Sequence, residues 1–132
     1  MKIYPKALES FLKGDLDLDG NIKALLVSSS YTQNDAHDNL DDVASGRLGL
    51  SGNLASKTMT NGTFDSADPT ISVTANGTGV AVILFLDSGV ESTSKLIAYI
   101  DKAADGSTAL SRPVLNGDTV TVQVHSSGWF DL

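Results

Sequence analysis

A chain of 132 residues, 41% of them hydrophobic, can build one domain around a real core but has no room for a separate catalytic domain. Its net charge of −7, from 16 acidic and 9 basic residues, argues against polyanionic partners, so neither nucleic acid nor an anionic membrane is expected. With no cysteine and two histidines, disulfides, thiol chemistry and a zinc site are not expected, and no cofactor is called for.

The opening Met1–Gly14 lacks an uninterrupted apolar stretch, with Pro5 and Glu9 where a signal peptide would be apolar. The longest apolar run, Val80 to Leu86, is too short to span a bilayer. The expectation is a protein kept in the cytoplasm or packed into something assembled there. A short helix is predicted over Pro5–Lys13, with Leu8, Phe11 and Leu12 as its apolar face and Gly14 as its stop. Ile22–Val27 reads as a strand. Asn34 or Asp35 is placed to cap a second helix over Ala36–Val43, with Asp35 and Asp38 near its positive end. Ser45–Asn53, with three glycines and no clear period, reads as a loop.

From Leu54 the pattern turns to strands. Thr58–Thr60 and Thr63–Phe64 flank Asn61-Gly62, and Thr70–Ala75 and Gly79–Asp87 flank Asn76-Gly77. Asn-Gly enters the positive-φ backbone of a type I′ turn at low cost, so two hairpins are predicted. Both Asn-Gly-Thr triplets match a glycosylation sequon and are read as turns. Lys95–Asp101 is a further strand. Asp118–His125 alternates, with Val120, Val122 and Val124 on one face, as a half-buried antiparallel strand does. Gly128–Leu132 is a last short strand. The expected fold is mainly β: an antiparallel β-sandwich or small barrel in a single domain, residues 1–132, with two short helices in its N-terminal half.

Three motifs invite a chemical reading. Asp15, Asp17, Asp19 and Gly20 match the start of an EF-hand calcium loop, but the twelfth position, where a bidentate Glu belongs, is Leu26; an acidic turn is expected. Asp87-Ser88-Gly89 follows an apolar strand as in aspartic proteases, which need two carboxylates sharing a proton. A homodimer would supply the second, yet nothing beyond the tripeptide supports proteolysis, and turn propensity explains all three residues. Asp35, His37, Asp38, Asp41 and Asp42 cluster, with His37 and Asp41 four apart; a solvated acidic helix start is favoured over a metal site. No catalytic and no metal-binding residue is therefore assigned, and the chain is not expected to be an enzyme. Ile3 and Tyr4 at one end, Trp129 and Phe130 at the other, and Arg47 in the middle loop are the expected partner contacts, because chain ends can be ordered by a neighbour.

The order of short pieces along nearly the whole chain resembles a family of small bacteriophage virion structural proteins, described as head decoration, head fibre or minor structural proteins. The pieces are Gly14-Asp15-Leu16-Asp17, Ile22–Leu26, Tyr31-Thr32, Asp35-Ala36-His37, Leu40–Val43, Phe64-Asp65, Ala67-Asp68, Asp87-Ser88-Gly89, Leu96–Asp101, Pro113-Val114, Asn116-Gly117-Asp118, and the terminal Phe130 and Leu132. The chain departs from the pattern at Ser45–Asn53, which lacks an expected aromatic and paired glycines, and at His125–Trp129, where a Trp-Asx-Gly turn is expected. The resemblance implies a cement protein on the phage head surface, bridging subunits of the major capsid protein and self-associating in the virion. The alternative is a head-fibre or tail protein, and an aspartic-type protease using Asp87 is a remote third.

Overall fold

The computed structural model describes residues 1–132. Strands take 37% of them and helical turns 11%, which makes the fold mainly β. Strand β1 (Lys2–Ile3) leads into helix α1 (Pro5–Lys13). Pro5 stands in the first turn, where its missing N–H has no intrahelical partner to lose. Gly14 ends the helix at φ 76°, and the amides of Gly14 and Asp15 return to the carbonyls of Phe11 and Ser10. The buried face differs from the predicted one. Ala7 and Ser10 are buried and Phe11 half-buried, while Leu8 and Leu12 face solvent. The helix lies against strand β9 (Lys95–Ile100), and its start is pinned by the Tyr4 amide on the Ile97 carbonyl at 3.0 Å. Small side chains on the contact face permit that close approach.

The remaining strands are β2 (Ile22–Val27), β3 (Arg47–Ser51), β4 (Thr58–Thr60), β5 (Thr63–Asp65), β6 (Thr70–Val73), β7 (Gly77–Gly79), β8 (Ala81–Leu86), β10 (Arg112–Val114), β11 (Thr119–Thr121) and β12 (Phe130–Asp131). Seven form one antiparallel sheet in the order β1-β9-β8-β2-β3-β6-β11. A three-stranded sheet, β12-β5-β4, and the pair β10-β7 complete a sandwich-like arrangement that is not a closed barrel. Central strands β2 and β8 are covered on both faces, which is why their sequences run apolar without alternating. One core of 27 buried apolar residues links all three sheets.

The predicted second helix is reduced to a single 3-10 turn, Leu40–Asp42. Short polar side chains bind nearby backbone amides and favour turns over a continued helix. The Asn34 carboxamide oxygen accepts from the Ala36 amide at 2.9 Å, and one Asp42 carboxylate oxygen accepts from both the Asp38 and Asn39 amides. The segment is instead drawn to the start of β9 through Leu40 N–H to Ser94 O and Leu96 N–H to Asp38 O.

The predicted loop Ser45–Asn53 contains strand β3. Gly49 is what admits it between β2 and β6: a Cβ there would lie 2.6 Å from the Ser72 carbonyl oxygen. Of the two predicted hairpins, β4–β5 forms, with Asn61 at φ 53° and Gly62 at φ 82° in its turn. The other does not. β6 pairs with β3 and β11, β8 pairs with β2 and β9, and Asn76-Gly77 leads into β7, which pairs with β10. Regular pairing of β11 stops at Thr121, beyond which the Val122 amide bonds the Pro69 carbonyl and the Val124 amide the Asp68 carboxylate.

Candidate functional site

Five carboxylates of the three chemical motifs, Asp17, Asp35, Asp38, Asp42 and Asp87, are engaged in turns or ion pairs. Asp87 accepts the Gly89 amide at 2.9 Å and pairs with Lys23 at 2.7 Å, and the Lys23 ammonium together with that amide holds its carboxyl below the usual range. Ser88 is netted into the same turn by Val90, Thr93 and Ser94. In the acidic loop Asp17 accepts the Asp19 amide at 2.9 Å. Asp35 pairs with Lys2 and Asp38 with Lys95. His37 Nδ1 lies 2.8 Å from the Tyr31 hydroxyl, itself 2.8 Å from the buried Tyr4 hydroxyl. Neither the acidic loop nor the Asp35–Asp42 segment gathers three carboxylate or imidazole groups about one point.

The five expected partner contacts are divided between the core and the half-buried surface. Tyr4, Trp129 and Phe130 are buried in the chain's own core. Phe130 packs on Phe64 with ring centroids 5.3 Å apart, and the Trp129 indole donates to Ser66 Oγ at 2.8 Å. Ile3 is half-buried and paired with Ala98. Arg47 ties two 3-10 turns together, donating to the Val43 and Leu40 carbonyls and to Glu91 of the turn Glu91–Thr93, each at 2.7 Å. The ends are held because each forms a strand paired with the chain's own sheets.

Two other features are open to solvent. Strand β4 is the outer strand of its sheet, all three of its residues are exposed, and Met59 is among the chain's large exposed apolar side chains. Leu8 and Leu12 lie one turn apart on the free side of α1.

A cleft of about 320 Å³ opens over the main sheet. Its floor is Leu26, Val82 and Ile100, and its wall is the stretch Thr119–His125. These residues come from β2, β8, β9 and β11, so the sheet curls until its far edge overhangs its middle. Ten of the 17 residues lining the cleft are hydrophobic, and none is acidic. Lys102 and Arg112 stand among them. The Val120, Val122, Val124 stripe is readable in the sequence but the cleft is not, because Ile100 and Val122 come to line one recess only through the tertiary fold.

Comparison with protein-family models, curated proteins and solved structures finds no match.

Proposed function

We propose that the chain is a structural subunit of a bacteriophage particle, a decoration protein that docks on the assembled head and bridges neighbouring capsid subunits. The observation that carries an assembly role is the free outer side of β4. Sheet edges are usually blunted by charge, proline or a cover, because an open edge pairs with other chains. Here Thr58, Met59 and Thr60 carry no charge, and the flanking Lys57 is turned to the Gly20 carbonyl instead of guarding the edge. Strand addition by a neighbour would satisfy the edge and bury Met59. The exposed Leu8 and Leu12 add apolar contact area, and repetition over a symmetric shell multiplies weak contacts. The bacteriophage setting is inferred from the resemblance of the motif order to that of small virion proteins. In this reading Asp87 is a turn residue and the chain has no hydrolytic role.

Quantitative mass spectrometry of purified particles tests the reading. A decoration protein is expected at roughly hundreds of copies, set by shell symmetry, and a fibre or tail protein at tens or fewer. Met59→Lys should lower occupancy on particles while the isolated chain stays folded. Absence of the chain from purified particles would sink the proposal.

A further inference from the structure

The nine basic side chains are not used alike. Lys2, Lys6, Lys13, Lys23, Arg47 and Lys95 each pair with a carboxylate, and Lys57 donates to the Gly20 carbonyl. Lys102 and Arg112 make no ion pair, although acids outnumber bases 16 to 9. Both line the cleft, and all 16 acidic residues lie outside its lining. In so acidic a chain, a largely apolar cleft lined by two cations without ion pairs and by no acid is set apart from the rest of the surface.

We propose that this cleft is a binding site for a small carboxylate with an apolar body, such as a single-chain fatty acid of medium length. A volume of about 320 Å³ falls at the small end of the range for small-molecule sites. Ile100, Val120, Val122 and Val124 are partly exposed apolar side chains on its surface, and an alkyl chain would remove that area from water. Arg112 offers a planar fork of donors that matches a carboxylate head, and Lys102 adds a second positive charge. The net charge of −7 disfavours non-specific binding of the same anion elsewhere on the chain. The site does not depend on the assembly role.

Trp129 is the chain's single tryptophan and lines the cleft, so its fluorescence reports occupancy. The intact protein is titrated with decanoate, decanol and decylammonium below their aggregation concentrations, with calorimetry in parallel. Saturable binding of decanoate, at least about ten-fold tighter than of either control, is expected, a difference of about 1.4 kcal/mol. The double variant Lys102→Gln, Arg112→Gln should lose that preference while still binding the alkyl chain weakly. Ala104→Phe, which adds bulk at the loop side of the cleft, should block all three probes, and circular dichroism checks that each variant is folded. Equal binding of decanol, unchanged affinity in the double variant, or no saturable signal by either method would overturn the proposal. So would tighter binding of a capped apolar peptide carrying one glutamate, which would assign the cleft to a protein partner.

Discussion

Ser51 is buried, and its hydroxyl accepts the Ala24 amide at 2.8 Å while donating to the Gly52 carbonyl at 2.7 Å. It thereby serves a β2 amide next to the place where the β2–β3 ladder ends at the Leu25–Leu50 pair. Ser51→Ala keeps the shape but strands a buried N–H, which costs about 1–3 kcal/mol. Denaturant unfolding should show that loss with the slope unchanged, and an unaltered midpoint would mean that Ala24 finds another acceptor. Nothing about Ser51 marks this role in the sequence, where it sits in a polar, glycine-rich stretch. The same holds for Asp42, whose carboxylate takes two backbone amides and is held low chiefly by the Asp38 amide. Turn residues that bind backbone groups and residues that bind ligands are the same residue types, so the acidic loop, the Asp35–Asp42 segment and Asp87 all read ambiguously until their partners are seen.

Elements whose own residues decide their form were legible in the sequence, and those decided by distant partners were not. Helix α1, strand β2 and the β4–β5 hairpin match their predicted spans because proline, a continuous apolar run and Asn-Gly act locally. Strand β3 was hidden because Gly49, poor in strand propensity, is needed for contact with a strand more than twenty residues away. The N-terminal arm follows the same rule. Ile3 and Tyr4 have no place in the helix stripe, which suggested a free end, but β9 supplies the place: Ile3 pairs with Ala98, and Tyr4 is wholly buried with its hydroxyl on Tyr31. Deleting Met1–Tyr4 should therefore destabilise the isolated domain by at least about 3 kcal/mol, the usual cost of emptying a buried aromatic site. A truncated chain with the melting temperature of the intact one would show the arm to be dispensable.

At the scale of the whole molecule, the surplus of negative charge and the local use of each carboxylate pull in opposite directions as pH falls. Seven carboxyl groups, Glu9, Asp35, Asp42, Asp87, Glu91, Asp101 and Asp105, are held below their ordinary values in the folded chain. Their causes differ. Lysine or arginine partners dominate for Glu9, Asp35, Asp87 and Glu91. Burial opposes ionisation at Asp101, and the N-terminal ammonium 3.0 Å away overcomes it. Asp105 falls from 3.8 to about 2 because the Thr108 hydroxyl and the Thr108 and Ser107 amides all donate to it. A group whose folded value is depressed stabilises the fold above its unfolded value and loses that contribution as pH drops through the folded one. Stability should thus be level above about pH 5 and fall progressively toward about pH 2, with Asp105 among the last to protonate. Relief of the −7 net charge would act the other way, but the depressed values mean that local partners outweigh the general field at these seven sites. Because the lysine and arginine pairs are largely exposed, each contributes little and is screened by salt, whereas bonds from backbone amides are not. Urea unfolding followed by Trp129 fluorescence, at several pH values in low and high salt, separates the two. High salt should shallow the acid loss without abolishing it, and a stability that instead rises steadily on acidification would show that net repulsion, not local pairing, governs this chain.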